Sequence, residues 1–109
     1  MEIKEERIAN ALVVRPAGRI DAMSAPGFES AFLERIESRP ARLVLDLSEV
    51  DFVSSAGLRA ILVGVKRGRA VGCEPSVCRL KDHVREVFEL SGFENVVSVH
   101  STLEEALRS

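Results

Sequence analysis

Two adjacent serines near a glycine, in the run "DFVSSAGLRAIL" at residues 51–62, are the side chains of this sequence best placed to do chemistry. The run begins like the end of a strand and continues with the spacing of an amphipathic helix, which predicts that Ser54 and Ser55 lie at a helix N-terminus. Hydroxyls there could act as a nucleophile, help to hold a phosphate, cap the helix, or accept a phosphoryl group from another enzyme.

The sequence does not favour catalysis or nucleotide binding at these serines. A nucleophile elbow would read G-x-S-x-G, but this run lacks the first glycine, and there is no G-x-x-x-x-G-K-[ST] run for a phosphate loop. A catalytic serine also needs a base, and the two histidines, His83 and His100, fall near the third helix and the C-terminus. We therefore predict no catalytic residues. A helix cap, worth about 1 kcal/mol, is the simplest interpretation of the serines taken alone.

Metal, nucleic-acid and membrane functions are not indicated either. Cys73 and Cys78 lack the spacing of a redox or zinc pair, and neither histidine has a partner at ligand spacing, so we expect no metal and no cofactor. A net charge of −2 gives no basic surface for nucleic acid. The charged start of the chain and the lack of an apolar run of about 18 residues predict a cytoplasmic protein that does not bind membranes.

The elements that must position the serines are predicted to form one α/β domain with the order β-β-α-β-α-β-α-β-α. Strands that alternate with helices predict a mixed, mostly parallel sheet, and the first two strands predict an antiparallel hairpin at its start. The predicted strands are 3–9, 11–17, 41–47, a segment within 71–80, and 95–99. Ser24 is predicted to cap a helix that stops before Pro40, and Asp82 is predicted to cap a helix that ends at Gly92. The other two helices are predicted to begin near Ser55 and after Ser101, which has capping-box spacing with Glu104.

The helix after Ser55 carries a stripe of small residues, Gly57, Ala60, Gly64 and Gly68. Glycine inside a helix costs about 1 kcal/mol relative to alanine, so the stripe indicates that something approaches the helix closely. It could pack against a neighbouring helix, or it could form a smooth exposed surface for another protein, and the sequence leaves both open. The residues expected to face the sheet are Leu58, Ile61, Leu62 and Val65.

Three stretches of the chain resemble the STAS domain in its stand-alone anti-sigma factor antagonist form. They are "GRID" (18–21), "LVLDLSEVDFVSSAGLRAIL" (43–62) and "VREVFELSGFENVV" (84–97). The resemblance covers nearly the whole chain, so we expect residues 1–109 to form one STAS domain. It implies a sheet with helices mainly on one face. It also implies a function. The unphosphorylated antagonist binds an anti-sigma factor that is also a serine kinase, which frees the sigma factor; phosphorylation by that kinase abolishes binding, and a serine phosphatase reverses the modification.

The resemblance assigns site residues through the motif that commonly reads D-S-[ST]-G-L and is matched here by "SSAGL" at 54–58. It places the phosphoacceptor at Ser55 and puts Asp21 at the acidic position of the adjacent loop. Ser54 replaces the usual aspartate and Ala56 the second hydroxyl residue, so Ser54 is a secondary candidate acceptor. The expected partner-binding residues are Asp21, Ser54, Ala56, Gly57, Leu58, Arg59, Ala60 and Gly64.

These expectations describe a kinase substrate rather than an enzyme, because the kinase would supply ATP, Mg²⁺ and the base, and this chain only the hydroxyl. We expect the free protein to be a monomer that regulates transcription without contacting nucleic acid. The alternative is a STAS module that binds a small ligand or scaffolds a larger signalling or transport complex.

Overall fold

The structure, a computed structural model, describes residues 1–108 as a six-stranded sheet with helices on both faces. A single 3₁₀ turn, Phe93–Asn95, precedes the last strand. The strands are β1 (Glu2–Ile8), β2 (Ala11–Ile20), β3 (Arg42–Asp46), β4 (Glu49–Val53), β5 (Pro75–Cys78) and β6 (Ser98–His100). The helices are α1 (Ala25–Glu37), α2 (Ser55–Ala70), α3 (Asp82–Ser91) and α4 (Leu103–Arg108).

The sheet is built around β2. Five strands follow the order β1-β2-β3-β5-β6, in which β1 is antiparallel to β2 and the other pairs are parallel. The first part of β2 pairs with β3, and its second part, from Ala17 to Ile20, pairs in parallel with β4. The predicted α/β class, hairpin and mostly parallel sheet are therefore confirmed.

The larger core lies on the sheet face covered by α1, α2 and α3. Phe28, Phe32 and Ile36 of α1, which recur every four residues and so share one side of the helix, are buried there. On the opposite face, Ala106 of the short helix α4 packs with Val13 and other buried residues of the sheet. Most helical cover is thus on one face, as expected.

The strand β4 is absent from the predicted order, which therefore has one strand too few. Its sequence, EVDFV, has two acidic residues in five, and both of them are exposed in the structure. Such a short, half-exposed strand has little apolar signal, and it forms because β2 extends beyond β3 and offers it a partner. The last strand is also shorter than predicted, since residues 93–95 form the 3₁₀ turn.

Three predicted helix caps differ in detail. Ser24 precedes α1 but makes no side-chain cap hydrogen bond, and α3 begins at Asp82 with Lys81 in the cap position. At α4 the capping pair is shifted by one residue: Glu105 N donates to Thr102 Oγ1 at 3.1 Å, so Ser101 and Glu104 are not the pair. Ser24 therefore occupies the cap position without capping through its hydroxyl, whereas at α3 and α4 the polar residue next to the predicted one, Lys81 or Thr102, lies at the helix start.

Candidate functional site

Ser54 is the cap of α2. Its backbone is extended, and its Oγ accepts a hydrogen bond from Gly57 N at 3.1 Å, which satisfies one of the free N–H groups of the first turn. Its own backbone N donates to the carbonyl of Ile20, the last residue of β2, at 2.9 Å. Both the backbone and the hydroxyl of Ser54 are therefore engaged in holding the start of the helix against the sheet.

Ser55 is the first residue of α2, and it is exposed. Within residues 1–108 its hydroxyl has no hydrogen-bond partner, so the group is free to react with an incoming molecule. The first turn of α2 contains no acidic side chain. The positive end of the helix dipole therefore lies next to this hydroxyl without a neighbouring carboxylate in the same turn to neutralise it.

Asp21 lies in a tightly hydrogen-bonded loop between β2 and α1. One carboxylate oxygen, Oδ1, accepts from the backbone N–H groups of Met23 and Ser24, both at 3.1 Å. The Ser24 hydroxyl donates to the carbonyl of Arg19 at 2.6 Å and accepts from Asp21 N at 3.0 Å. The hydrogen bond from the Ser24 N–H, with smaller contributions from the Met23 N–H, the Ser24 hydroxyl and the charge of Arg19, lowers the pKa of the Asp21 carboxyl. The carboxylate is thus ionised and largely committed to its own loop.

The loop of Asp21 and the start of α2 leave the sheet side by side. Ile20 and Val53 are paired at the ends of β2 and β4, and Asp21 and Ser54 are the residues that follow them. Because parallel strands end at the same edge of a sheet, the two loops share that edge. The structure therefore brings the Asp21 loop and the two serines together, as the resemblance implied.

The stripe of small residues is buried, so its interpretation as an exposed contact surface is wrong. A Cβ on Gly57 would overlap the carbonyl oxygen of Ile20, and a Cβ on Gly64 would overlap the ring of Phe32 in α1. Ala60 is only 1% exposed. The small side chains allow α2 to approach the sheet and α1 closely, which is the packing alternative that the sequence left open.

The exposed face of α2 lies opposite this stripe. Arg59 is exposed one helical turn after Ser55, and Leu58 is half-buried beside it. Ile61 and Val65 are buried as predicted, whereas Leu62 is only half-buried. The buried side of the helix is therefore centred on the glycines rather than on the leucines, because the glycines permit the closest approach. Of the expected partner-binding residues, Arg59 is exposed, and four others are half-buried: Asp21, Ser54, Ala56 and Leu58.

Charged residues around β4 form part of this edge and were missed by the sequence analysis. The guanidinium of Arg19 lies over the ring of Phe52, 4.2 Å from its centroid, and its Nε is 3.6 Å from Asp21 Oδ2. Asp51 pairs with Lys81 Nζ at 2.5 Å, and this hydrogen bond lowers the pKa of the Asp51 carboxyl. The only sequence signal for these contacts was the alternation of polar and apolar residues along β4, and at five residues it was too short to be recognised as a strand.

Other kinds of site are not seen in the described part of the chain. No group of three His, Cys, Asp or Glu residues among 1–108 could hold a metal ion, and no pocket is found in that range. Cys73 and Cys78 are free and buried, and burial, together with Asp46, raises the pKa of Cys78 to about 12. No helix within residues 1–108 combines the length and apolar character needed to cross a membrane.

Comparisons with known proteins agree with this geometry. The family model of the STAS domain matches residues 2–106. The chain is 37% identical over 106 residues to BtrV of Bordetella bronchiseptica, a candidate anti-sigma factor antagonist, with 97% of this chain and 91% of that one covered. It is 32% identical over 95 residues to RsfB, an anti-sigma-F factor antagonist of Mycobacterium tuberculosis, with 87% and 77% covered.

A solved structure gives the same result. The crystal structure of an anti-sigma factor antagonist from Mycobacterium paratuberculosis is 29% identical and matches with a TM-score of 0.88, covering 98% of this chain and 91% of that one. The chain therefore belongs to the STAS domain family. Within that family it groups with the anti-sigma factor antagonists, which confirms the resemblance seen in the sequence.

Proposed function

We propose that this protein is an anti-sigma factor antagonist that binds an anti-sigma factor serine kinase, and that phosphorylation of Ser55 switches the binding off. The observation that carries the proposal is the division of roles between the two serines. Ser54 holds the start of α2 through its hydroxyl, whereas the Ser55 hydroxyl is exposed at the same helix start. A kinase can therefore reach Ser55 without opening the fold, but it would have to break the cap to use Ser54.

The electrostatics of the helix start support a phosphate at Ser55. Phosphorylation adds about −1.5 to −2 charges at pH 7. A negative charge at a helix N-terminus is favourable by about 0.3–1 kcal/mol, and the first turn of α2 contains no carboxylate to oppose it. Arg59 lies one turn further along the exposed face, where it adds a positive charge. The folded domain should therefore tolerate the phosphate well.

A bound partner would respond in the opposite way. A protein docked over the start of α2 would have to remove water from the phosphate, and a buried charge without a partner costs several kcal/mol. A net loss of about 4 kcal/mol would weaken binding roughly a thousandfold. The same modification would thus leave the antagonist folded and release its partner.

The remaining roles follow from this switch. The anti-sigma factor would supply ATP and the catalytic groups, and the antagonist would act as substrate and binding partner rather than as an enzyme. A serine phosphatase would restore the unmodified form, and release of a sigma factor places the whole cycle in the cytoplasm. We expect the free antagonist to be a monomer.

Mapping the modified residue tests the proposal. The purified chain is incubated with ATP and, in turn, with each ATP-binding anti-sigma factor encoded in the same genome, and the phosphate is located by mass spectrometry. We expect one of these kinases to phosphorylate wild type and Ser54→Ala at Ser55, and not to phosphorylate Ser55→Ala. Modification of Ser55→Ala at full stoichiometry, or no binding and no modification by any of the kinases, would reject the proposal.

A further inference from the structure

Met23 is the most exposed large apolar residue described in the structure. The residue is 93% exposed, compared with 83% for Leu90 on α3 and 37% for Val63 on α2. Single apolar residues on a surface are common. Met23 differs in that it lies in a loop whose backbone is fixed and which shares the sheet edge with Ser55.

The loop is fixed by hydrogen bonds at Asp21, Met23 and Ser24. The N–H groups of Met23 and Ser24 both donate to Asp21 Oδ1, and Ser24 Oγ bridges Asp21 N and the carbonyl of Arg19. The next residue, Ala25, donates its N–H to the Asp21 carbonyl at 2.8 Å and begins α1. The backbone of Met23 is thus held by hydrogen bonds, whereas its side chain extends into solvent.

The position of the loop relates it to the proposed switch. Ile20, the residue before Asp21, presents its carbonyl to Ser54 N at 2.9 Å, and Gly57 packs directly against that carbonyl. The Asp21 loop and the first turn of α2 are therefore two parts of one rigid edge. A partner that covers Ser55 and extends along this edge would meet the loop that carries Met23.

We propose that Met23 is an apolar anchor that inserts into a pocket of the anti-sigma factor, and that Asp21 is a positioning residue that holds it there. The inference rests on the proposed function and adds residues to that interface. Methionine suits this role because its long, polarisable side chain adapts to a pocket, and because a prearranged backbone reduces the entropy lost on binding.

The two oxygens of Asp21 separate positioning from direct charge recognition. Oδ1 accepts both N–H groups of the turn, while Oδ2 faces the Arg19 guanidinium, which in turn lies over Phe52. Asparagine retains an Oδ1 that can accept the same two hydrogen bonds and removes the charge. Alanine removes both. Asp21→Asn should therefore keep the loop and its function, and Asp21→Ala should lose them.

The experiment measures the dissociation constant for the anti-sigma factor that phosphorylates the wild-type chain, using Met23→Ala, Leu90→Ala, Asp21→Asn and Asp21→Ala. Leu90→Ala is the matched control, because it removes a similarly exposed apolar side chain from a different element. We expect Met23→Ala to weaken binding roughly ten- to a hundredfold and Leu90→Ala less than about twofold. Asp21→Asn should stay within about threefold of wild type, and Asp21→Ala should lose roughly tenfold or more. We also expect amide hydrogen exchange at residues 23 and 24 to be faster than in wild type in Asp21→Ala, and unchanged in Asp21→Asn.

The outcomes separate the inference from the proposed function. If wild type binds the kinase and Met23→Ala binds equally well, the anchor is wrong and the switch stands. If Asp21→Asn loses as much affinity as Asp21→Ala while its amide exchange at residues 23 and 24 is unchanged, Asp21 acts through its charge and the positioning role is wrong. If the wild type binds no anti-sigma factor, the proposed function fails and the anchor fails with it.

Discussion

The backbone N–H of Ser54 donates to the carbonyl of Ile20 at 2.9 Å, and this bond joins the first turn of α2 to the end of β2. The Ser54 hydroxyl also lies 3.4 Å from the same carbonyl and accepts from Gly57 N. Asp21 follows Ile20 in the chain, and Ser55 follows Ser54. This contact therefore fixes where the Asp21 loop lies relative to the Ser55 hydroxyl. The arrangement gives each serine a separate role that can be measured.

Replacing Ser54 with alanine should lower stability without removing the phosphorylation site. Loss of a side-chain cap costs about 1 kcal/mol, which corresponds to a melting temperature lower by about 4–8 °C for a domain of this size. Thermal unfolding followed by circular dichroism measures the change. Ser55→Ala is the control and should melt within about 2 °C of wild type, because the Ser55 hydroxyl has no partner within residues 1–108. Equal melting temperatures for Ser54→Ala and wild type would mean that the cap is unimportant.

Enlarging the buried stripe should destabilise the domain. Ala60→Leu adds volume where the residue is 1% exposed, and we expect a loss of roughly 1–3 kcal/mol in the free energy of unfolding. Urea unfolding of Ala60→Leu can be compared with that of Arg59→Leu, which adds leucine at the neighbouring exposed position and should change stability by less than about 0.5 kcal/mol. If Ala60→Leu were as stable as wild type, the packing of α2 described above would be contradicted.

A buried carboxylate on the other face of the sheet should make the fold sensitive to acid. Asp46 is completely buried, and it accepts hydrogen bonds from Arg15 Nε at 2.8 Å, Arg79 Nε at 3.2 Å and Ser48 N at 3.0 Å. Burial alone would raise the pKa of Asp46, but the hydrogen bonds from Arg79, Arg15 and Ser48 outweigh it and hold the pKa below its usual value of 3.8.

Since the pKa of Asp46 is lower in the folded than in the unfolded chain, its contribution to stability is complete above about pH 5 and is lost as the pH falls below 3.8. Asp46→Asn should lower the free energy of unfolding by roughly 2–4 kcal/mol at pH 7 and flatten its decline below pH 5. Urea unfolding between pH 3 and 7 measures both effects. A decline as steep in Asp46→Asn as in wild type would assign the acid sensitivity to other carboxyl groups.

Much of the fold follows from local patterns. The apolar residues of α1 recur at the helical spacing, and Phe28, Phe32 and Ile36 are buried as that spacing requires. The alternation of strands and helices was sufficient to predict the parallel sheet. By contrast, β4 depends on the length of β2, and the buried side of α2 depends on the ring of Phe32 meeting Gly64. These are contacts between distant segments, which a periodicity within one segment does not contain.

The positions of the candidate site residues in the fold were predictable to a similar extent. The motif places Ser55 at the helix start, but only the bond from Gly57 N shows that Ser54, and not Ser55, has its hydroxyl occupied. The resemblance put Asp21 in the loop beside the serines, whereas the division of its two oxygens between the turn and Arg19 depends on contacts that only the folded chain makes. Met23 carries no signal in the sequence, because an exposed methionine in a loop differs from a buried one only through its surroundings.

The affinity of the phosphorylated chain for its kinase partner tests the central claim most directly. Protein phosphorylated at Ser55 and unmodified protein are titrated against the same anti-sigma factor by calorimetry, and the melting temperature of each form is measured alongside. We expect the phosphorylated form to melt at the same temperature or slightly higher and to bind roughly a thousandfold more weakly, with Ser55→Ala binding like unmodified protein. Equal affinities for the phosphorylated and unmodified forms would contradict the switch, and so would a loss of binding caused by unfolding.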